Sequence, residues 1–82
     1  MGTRHIFKLD GEFIELYTLL KLLALAPSGG AAKAMIAAGR VSVDGVVETR
    51  KARKIRGNQV VRTGAHEVRV VAKGKAGDAA GG

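Results

Sequence analysis

The chain has no cysteine and no tryptophan, one tyrosine, two phenylalanines, one proline and only seven acidic residues among 82. Each shortage excludes something. Without cysteine there is no disulfide to brace a small fold and no thiolate to hold a metal, which fits a reducing compartment. So few aromatics leave no cofactor box. They also mean that base stacking on aromatic rings cannot dominate, which disfavours RRM-like or single-strand OB-type recognition. The acids stand singly. The two histidines, His5 and His66, lie far apart in sequence, with no paired carboxylate at ligand spacing and no Ser/His/Asp order beside them. Most elements of an active site are missing, so a non-enzymatic protein without metal or other cofactor is expected. A long hydrophobic run is missing too. Leu16 to Ala26 falls well short of the ~20 residues a membrane span needs, and Lys21 interrupts it. Ala24-Leu25-Ala26 imitates a signal cleavage site, but Asp10, Glu12 and Glu15 lie where a signal peptide is free of acids. A cytoplasmic protein is expected.

What the chain does have is positive charge. Fourteen Lys and Arg give a formal net charge of +7. The surplus is local: Lys33 to Arg62 holds eight cations against Asp44 and Glu48. Charge gathered in one stretch favours a polyanionic partner over simple solubility.

Length allows one domain. Residues 73–82 contain no large apolar side chain and read as a flexible Gly/Ala-rich tail, leaving 1–72 as the folded unit. Ile6-Phe7-Lys8-Leu9 reads as a strand closed by the turn signal Asp10-Gly11. Leu16, Leu19, Leu20 and Leu23 fall on one face of a helix, widened by Leu22 and Leu25 and stopped by Pro27. Ser28 suits the N-cap of a second helix running to about Ala38, with Gly39 just past its end. A hairpin follows, turning at Asp44-Gly45. A two-residue loop sets Val41 opposite Glu48. A three-residue loop, Asp44 to Val46, puts Val41, Val43, Val47 and Thr49 on one face, and this cleaner separation of apolar from polar predicts the second register. Strands Gln59 to Arg62 and His66 to Ala72 complete an α+β domain, a helix pair packed on a small antiparallel sheet.

Two stretches could hold phosphate. The start of the second helix, Gly29-Gly30-Ala31-Ala32, carries no acid, so its free N–H groups are open to an outside anion with Lys33 in reach. The same glycines could serve only a tight turn between helices. The second stretch, Arg50-Lys51-Ala52-Arg53-Lys54-Ile55-Arg56, follows the hairpin. A loop anchored at both ends loses less entropy on binding phosphate than a free tail. Arginine adds bidentate phosphate contacts, so these features favour reading the shape of structured RNA.

Taken in order, Ser28-Gly29-Gly30, Ala32-Lys33, Ile36, Gly39, Val41, Val43-Asp44-Gly45, Glu48, Arg50-Lys51, Lys54-Ile55 and Gly57-Asn58 resemble the S-four RNA-binding domain. That family is named after small-subunit ribosomal protein S-four. The pattern is especially similar to its small free-standing YbcJ-like branch, and covers roughly Phe13 to Val61. The resemblance implies the alpha-L RNA-binding fold, with RNA lying across the second helix and the hairpin. The contact residues it implies are Ser28, Gly30, Lys33, Arg40, Arg50, Lys51, Arg53 and Lys54. The chain departs from the family pattern in three places. Gly29 stands where many members carry a basic residue, Asp44 where Asn is usual and Asn58 where Asp is usual. The partner expected is structured RNA, ribosomal or transfer, bound by a monomer, with the ribosome as a candidate setting. A protein-interaction module on the ribosome or a non-specific DNA binder is the alternative.

Overall fold

The computed structural model describes residues 2–72. The expected tail, 73–82, lies outside the described residues. The elements are β1 (Thr3–Leu9), β2 (Ile14–Glu15), α1 (Leu16–Leu22), α2 (Gly29–Ala37), β3 (Val41–Val43), β4 (Val46–Val47), β5 (Lys54–Ile55), β6 (Val60–Thr63) and β7 (His66–Ala72). Five strands form one sheet in the order β1-β7-β6-β3-β4, and β2 pairs with β5 in a separate two-stranded ribbon.

The sheet is antiparallel except at one edge. There β1 runs parallel to β7, from Thr3 opposite His66 to Leu9 opposite Ala72. Periodicity sets which residues turn inward. On the strands, Val41, Val43, Val61, Val68 and Val70 are buried at alternate positions, with polar neighbours between them. On α1, Leu16, Leu19 and Leu20 are fully buried at i, i+3 and i+4, and on α2 Ala32 and Ile36 meet them from positions four apart. Ala32 lets the two helices approach closely. The core is thus a helix pair against one sheet face, closed by Ile55 from the ribbon. Among the described residues no helix is long and apolar enough to cross a membrane.

Three expectations need correction. The first is the end of α1. It stops at Leu22, well before Pro27, because Ala24 turns into the left-handed region at φ 57°. The N–H of Ala24 donates to the carbonyl of Lys21 and that of Leu25 to the carbonyl of Leu20, which is a Schellman ending. Leu22, expected to widen the apolar face, is exposed. α2 ends identically: Gly39 at φ 77° donates to Ile36 and Arg40 to Met35. Glycine takes this backbone without strain and alanine does not. Denaturant melts should therefore show Ala24→Gly more stable by about 1 kcal/mol and Gly39→Ala less stable by a similar amount.

The second correction is the hairpin. Val43 pairs with Val46 and Ser42 with Val47, so the loop is the two residues Asp44-Gly45. Both have positive φ, 51° and 84°, as a type I′ turn requires. The Asp44 carboxylate accepts from the Val60 N–H at 2.9 Å and the Gln59 amide at 3.2 Å, which ties the turn to β6. The register leaves Val46 and Val47 exposed and turns Glu48 inward beside Val41.

The third is the ribbon. Ile14 opposite Ile55 and Glu15 opposite Lys54 give the basic stretch a strand of its own, and too few residues are involved for any period to announce it.

Candidate nucleic-acid interface

Glu48 organises the basic loop. Its side chain is only 8% exposed, and both carboxylate oxygens are engaged. Arg50 grips it bidentately, Nε at 3.0 Å from Oε2 and Nη2 at 3.1 Å from Oε1. The Arg50 backbone N–H adds a bond of 2.8 Å and Arg53 Nη1 one of 2.6 Å. The hydrogen bonds from the Arg50 side chain, then from its backbone, then from Arg53 hold the Glu48 carboxyl far below its ordinary 4.5, at about 2.

The other side of the loop is fixed by α1. No side chain caps that helix, and its first N–H groups are satisfied by the loop instead. Leu16 donates to the Arg53 carbonyl at 2.9 Å and Tyr17 to the Lys51 carbonyl at 3.2 Å. Buried Ile55 locks the end of the run. The loop is therefore held by a carboxylate at one edge and by a helix start at the other.

Tyr17 joins the loop to α2. While its N–H is bonded to Lys51, the Lys33 ammonium lies 4.6 Å from its ring centroid. A Cβ added to Gly29 would meet the same ring at 3.9 Å. Ser28 caps α2 by accepting the Ala31 N–H at 3.1 Å. Gly29 and Gly30 are not among the residues at positive φ, so this turn does not need glycine for its backbone. What the glycines supply is a helix start free of side chains beside Lys33.

The expected site residues therefore fall into groups. Ser28, Gly30 and Lys33 gather at the start of α2 and meet Lys51 through Tyr17. Arg40 stands beyond the other end of that nine-residue helix, on the order of 14 Å away. Lys51 and Lys54 are exposed and form no ion pair among the described residues. Arg50 and Arg53 are engaged by Glu48, although the Arg50 side chain is still 75% exposed. Four cations, Arg50, Arg53, Lys54 and Arg56, line an open cleft of about 780 Å³.

Arg56, Tyr17 and Phe13 are absent from the contact set read from the sequence. The scarcity of aromatics hid the fact that two of the three stand against cations. Glu48 had a visible signal, a lone acid between Val47 and the basic run, but the register that polarity predicts turns it outward.

The class the fold defines is a small α+β domain whose cations are gathered on a loop pinned between a buried carboxylate and a helix start. Comparison with known proteins gives the particular family. A family model described as S4 domain matches residues 7–71, and the chain belongs to that family. The YbcJ protein of Escherichia coli (strain K12) is 52% identical over 59 residues, covering 72% of this chain and 84% of that one. The YbcJ protein of Shigella flexneri matches to the same extent. The solution structure of E. coli YbcJ, described as revealing an alpha-L motif involved in RNA binding, superposes with a TM-score of 0.67. It is 46% identical, over 88% of this chain and 92% of that one.

Proposed function

We propose that this protein is a non-enzymatic RNA-binding module that recognises structured RNA, ribosomal or transfer, as a cytoplasmic monomer, with the ribosome as a candidate setting. The observation that carries the reading is the pinned basic loop, four of whose cations line an open cleft. Lys33, Lys51 and Lys54 contact phosphates directly. Ser28 takes the Ala31 N–H and offers its hydroxyl to RNA, Gly30 leaves the rest of the helix start open to an anion, and Arg40 extends the track. Arg50 and Arg53 shape the loop through Glu48 and offer their remaining N–H groups to RNA. The description of E. coli YbcJ as carrying an RNA-binding motif supports the same reading.

Affinity should fall steeply with salt, because phosphate contacts release counterions. A structured RNA hairpin should bind well above duplex DNA of equal length, because A-form geometry presents phosphates and 2′-hydroxyls differently. Anisotropy titrations across a salt series measure both. Equal affinity for the two duplexes would replace this reading with a non-specific DNA binder.

A further inference from the structure

We propose that Phe13 is the seat for one unpaired base, so that the RNA recognised carries a bulged or looped-out nucleotide beside its paired stem. This rests on the RNA-binding reading and deepens it. Phe13 stands outside the hydrophobic core and is 39% exposed, an unusual place for a phenyl group. Two cations stand against it: the Lys54 ammonium lies 5.0 Å and the Arg56 guanidinium 5.7 Å from the ring centroid. Both also line the cationic cleft. The backbone beside the ring is anchored, because its neighbour Ile14 pairs with buried Ile55 in the ribbon that also carries Lys54.

The chemistry of this cluster selects its occupant. A phenyl face and a planar guanidinium both stack on a nucleobase, while an ammonium a few ångströms away can meet the phosphate of the same nucleotide. A paired base cannot use the ring, because its faces are covered by the stack above and below. An unpaired base can be splayed out to reach it. Phosphate contacts alone would need no aromatic at this point. The scarcity of aromatics thus still excludes a row of stacked bases while permitting a single seat.

Two RNAs decide the matter: a fully paired hairpin and the same hairpin with one unpaired adenosine in its stem, titrated at one salt concentration. Wild type should prefer the bulged RNA by roughly tenfold, the range of a single base stack. Phe13→Leu should bind the bulged and the paired hairpin equally, while Phe13→Tyr should keep the wild-type preference. A wild type that binds both RNAs equally, or a Phe13→Leu variant that still prefers the bulge, overturns the inference and leaves the RNA-binding reading standing. If neither RNA binds, the RNA-binding reading falls and takes this inference with it.

Discussion

Glu48→Gln should unfold at lower denaturant concentration than the wild type, by about 2 kcal/mol, with a flatter dependence of stability on pH. The substitution keeps the shape of the side chain and removes its charge. Two guanidinium groups and a backbone N–H converge on the carboxylate within 2.6–3.1 Å. A glutamine would turn an amide N–H₂ toward one of these donors. Hydrogen bonds to a charged partner contribute about 1.5–3 kcal/mol. The expected loss sits toward the low end because the Arg50 side chain is largely in solvent, where screening weakens the pair. The pH dependence follows from the direction of the shift. Folding lowers the Glu48 carboxyl from its ordinary 4.5 to about 2. On acidification the unfolded chain takes up this proton first, so its free energy drops relative to the native state. The contribution is whole above pH 4.5, shrinks as the pH falls and is gone below about 2. Urea melts at a series of pH values between neutrality and about 2 should show a wild-type decline that is shallower in Glu48→Gln. Parallel profiles for the two proteins would show that Glu48 does not hold the loop.

The same residue marks where the sequence could be read and where it could not. The helix pair was legible because Leu16, Leu19 and Leu20 repeat with a helical period and because Ser28 and Gly39 carry the chemistry of a start and a stop. The strands β3 and β7 were legible from alternating valines. The hairpin register was not, since polarity alone argued that an acid faces water. Glu48 is buried by partners that lie two and five residues ahead of it, and such a local ion cluster reverses the rule that charges stay outside. The end of α1 misled for another reason. Pro27 is a strong stop signal, yet alanine at position 24 accepts a left-handed backbone that residue preferences argue against. Of the site, the cations were readable as a run and their roles were not. Which arginines face inward depends on where Glu48 points, and the neighbourhoods of Tyr17 and Phe13 depend on contacts between segments far apart in the chain. The parallel pairing of β1 with β7 joins the two ends of the described fold, a juxtaposition that no local pattern encodes.

Lys51→Ala combined with Lys54→Ala should weaken binding to a structured RNA hairpin roughly 30-fold at about 0.1 M salt and reduce the slope of log affinity against log salt by about 1.5. Each phosphate neutralised releases a counterion and adds about 0.7–0.9 to that slope. Removing two phosphate partners therefore predicts both numbers together. These lysines are the proper pair to remove because both are exposed and neither is held in an ion pair among the described residues. Arg50 is a poorer probe: deleting it takes away a cation and also releases a carboxylate it had covered, so changes in affinity and in loop order would be mixed. The control is equal charge removal elsewhere. Arg4 and Lys8 are exposed on β1, at the opposite edge of the sheet from β4 and the hairpin. Arg4→Ala with Lys8→Ala lowers net charge by the same amount and should leave the slope within experimental error of the wild type. If the β1 pair lowers the slope as much as the loop pair does, the protein is responding to RNA through its overall charge, and the loop has no special claim to the phosphates. If only the loop pair lowers it, contact is localised to the surface that Glu48 and α1 hold in shape, and Lys33→Ala should then subtract a further phosphate from the same slope.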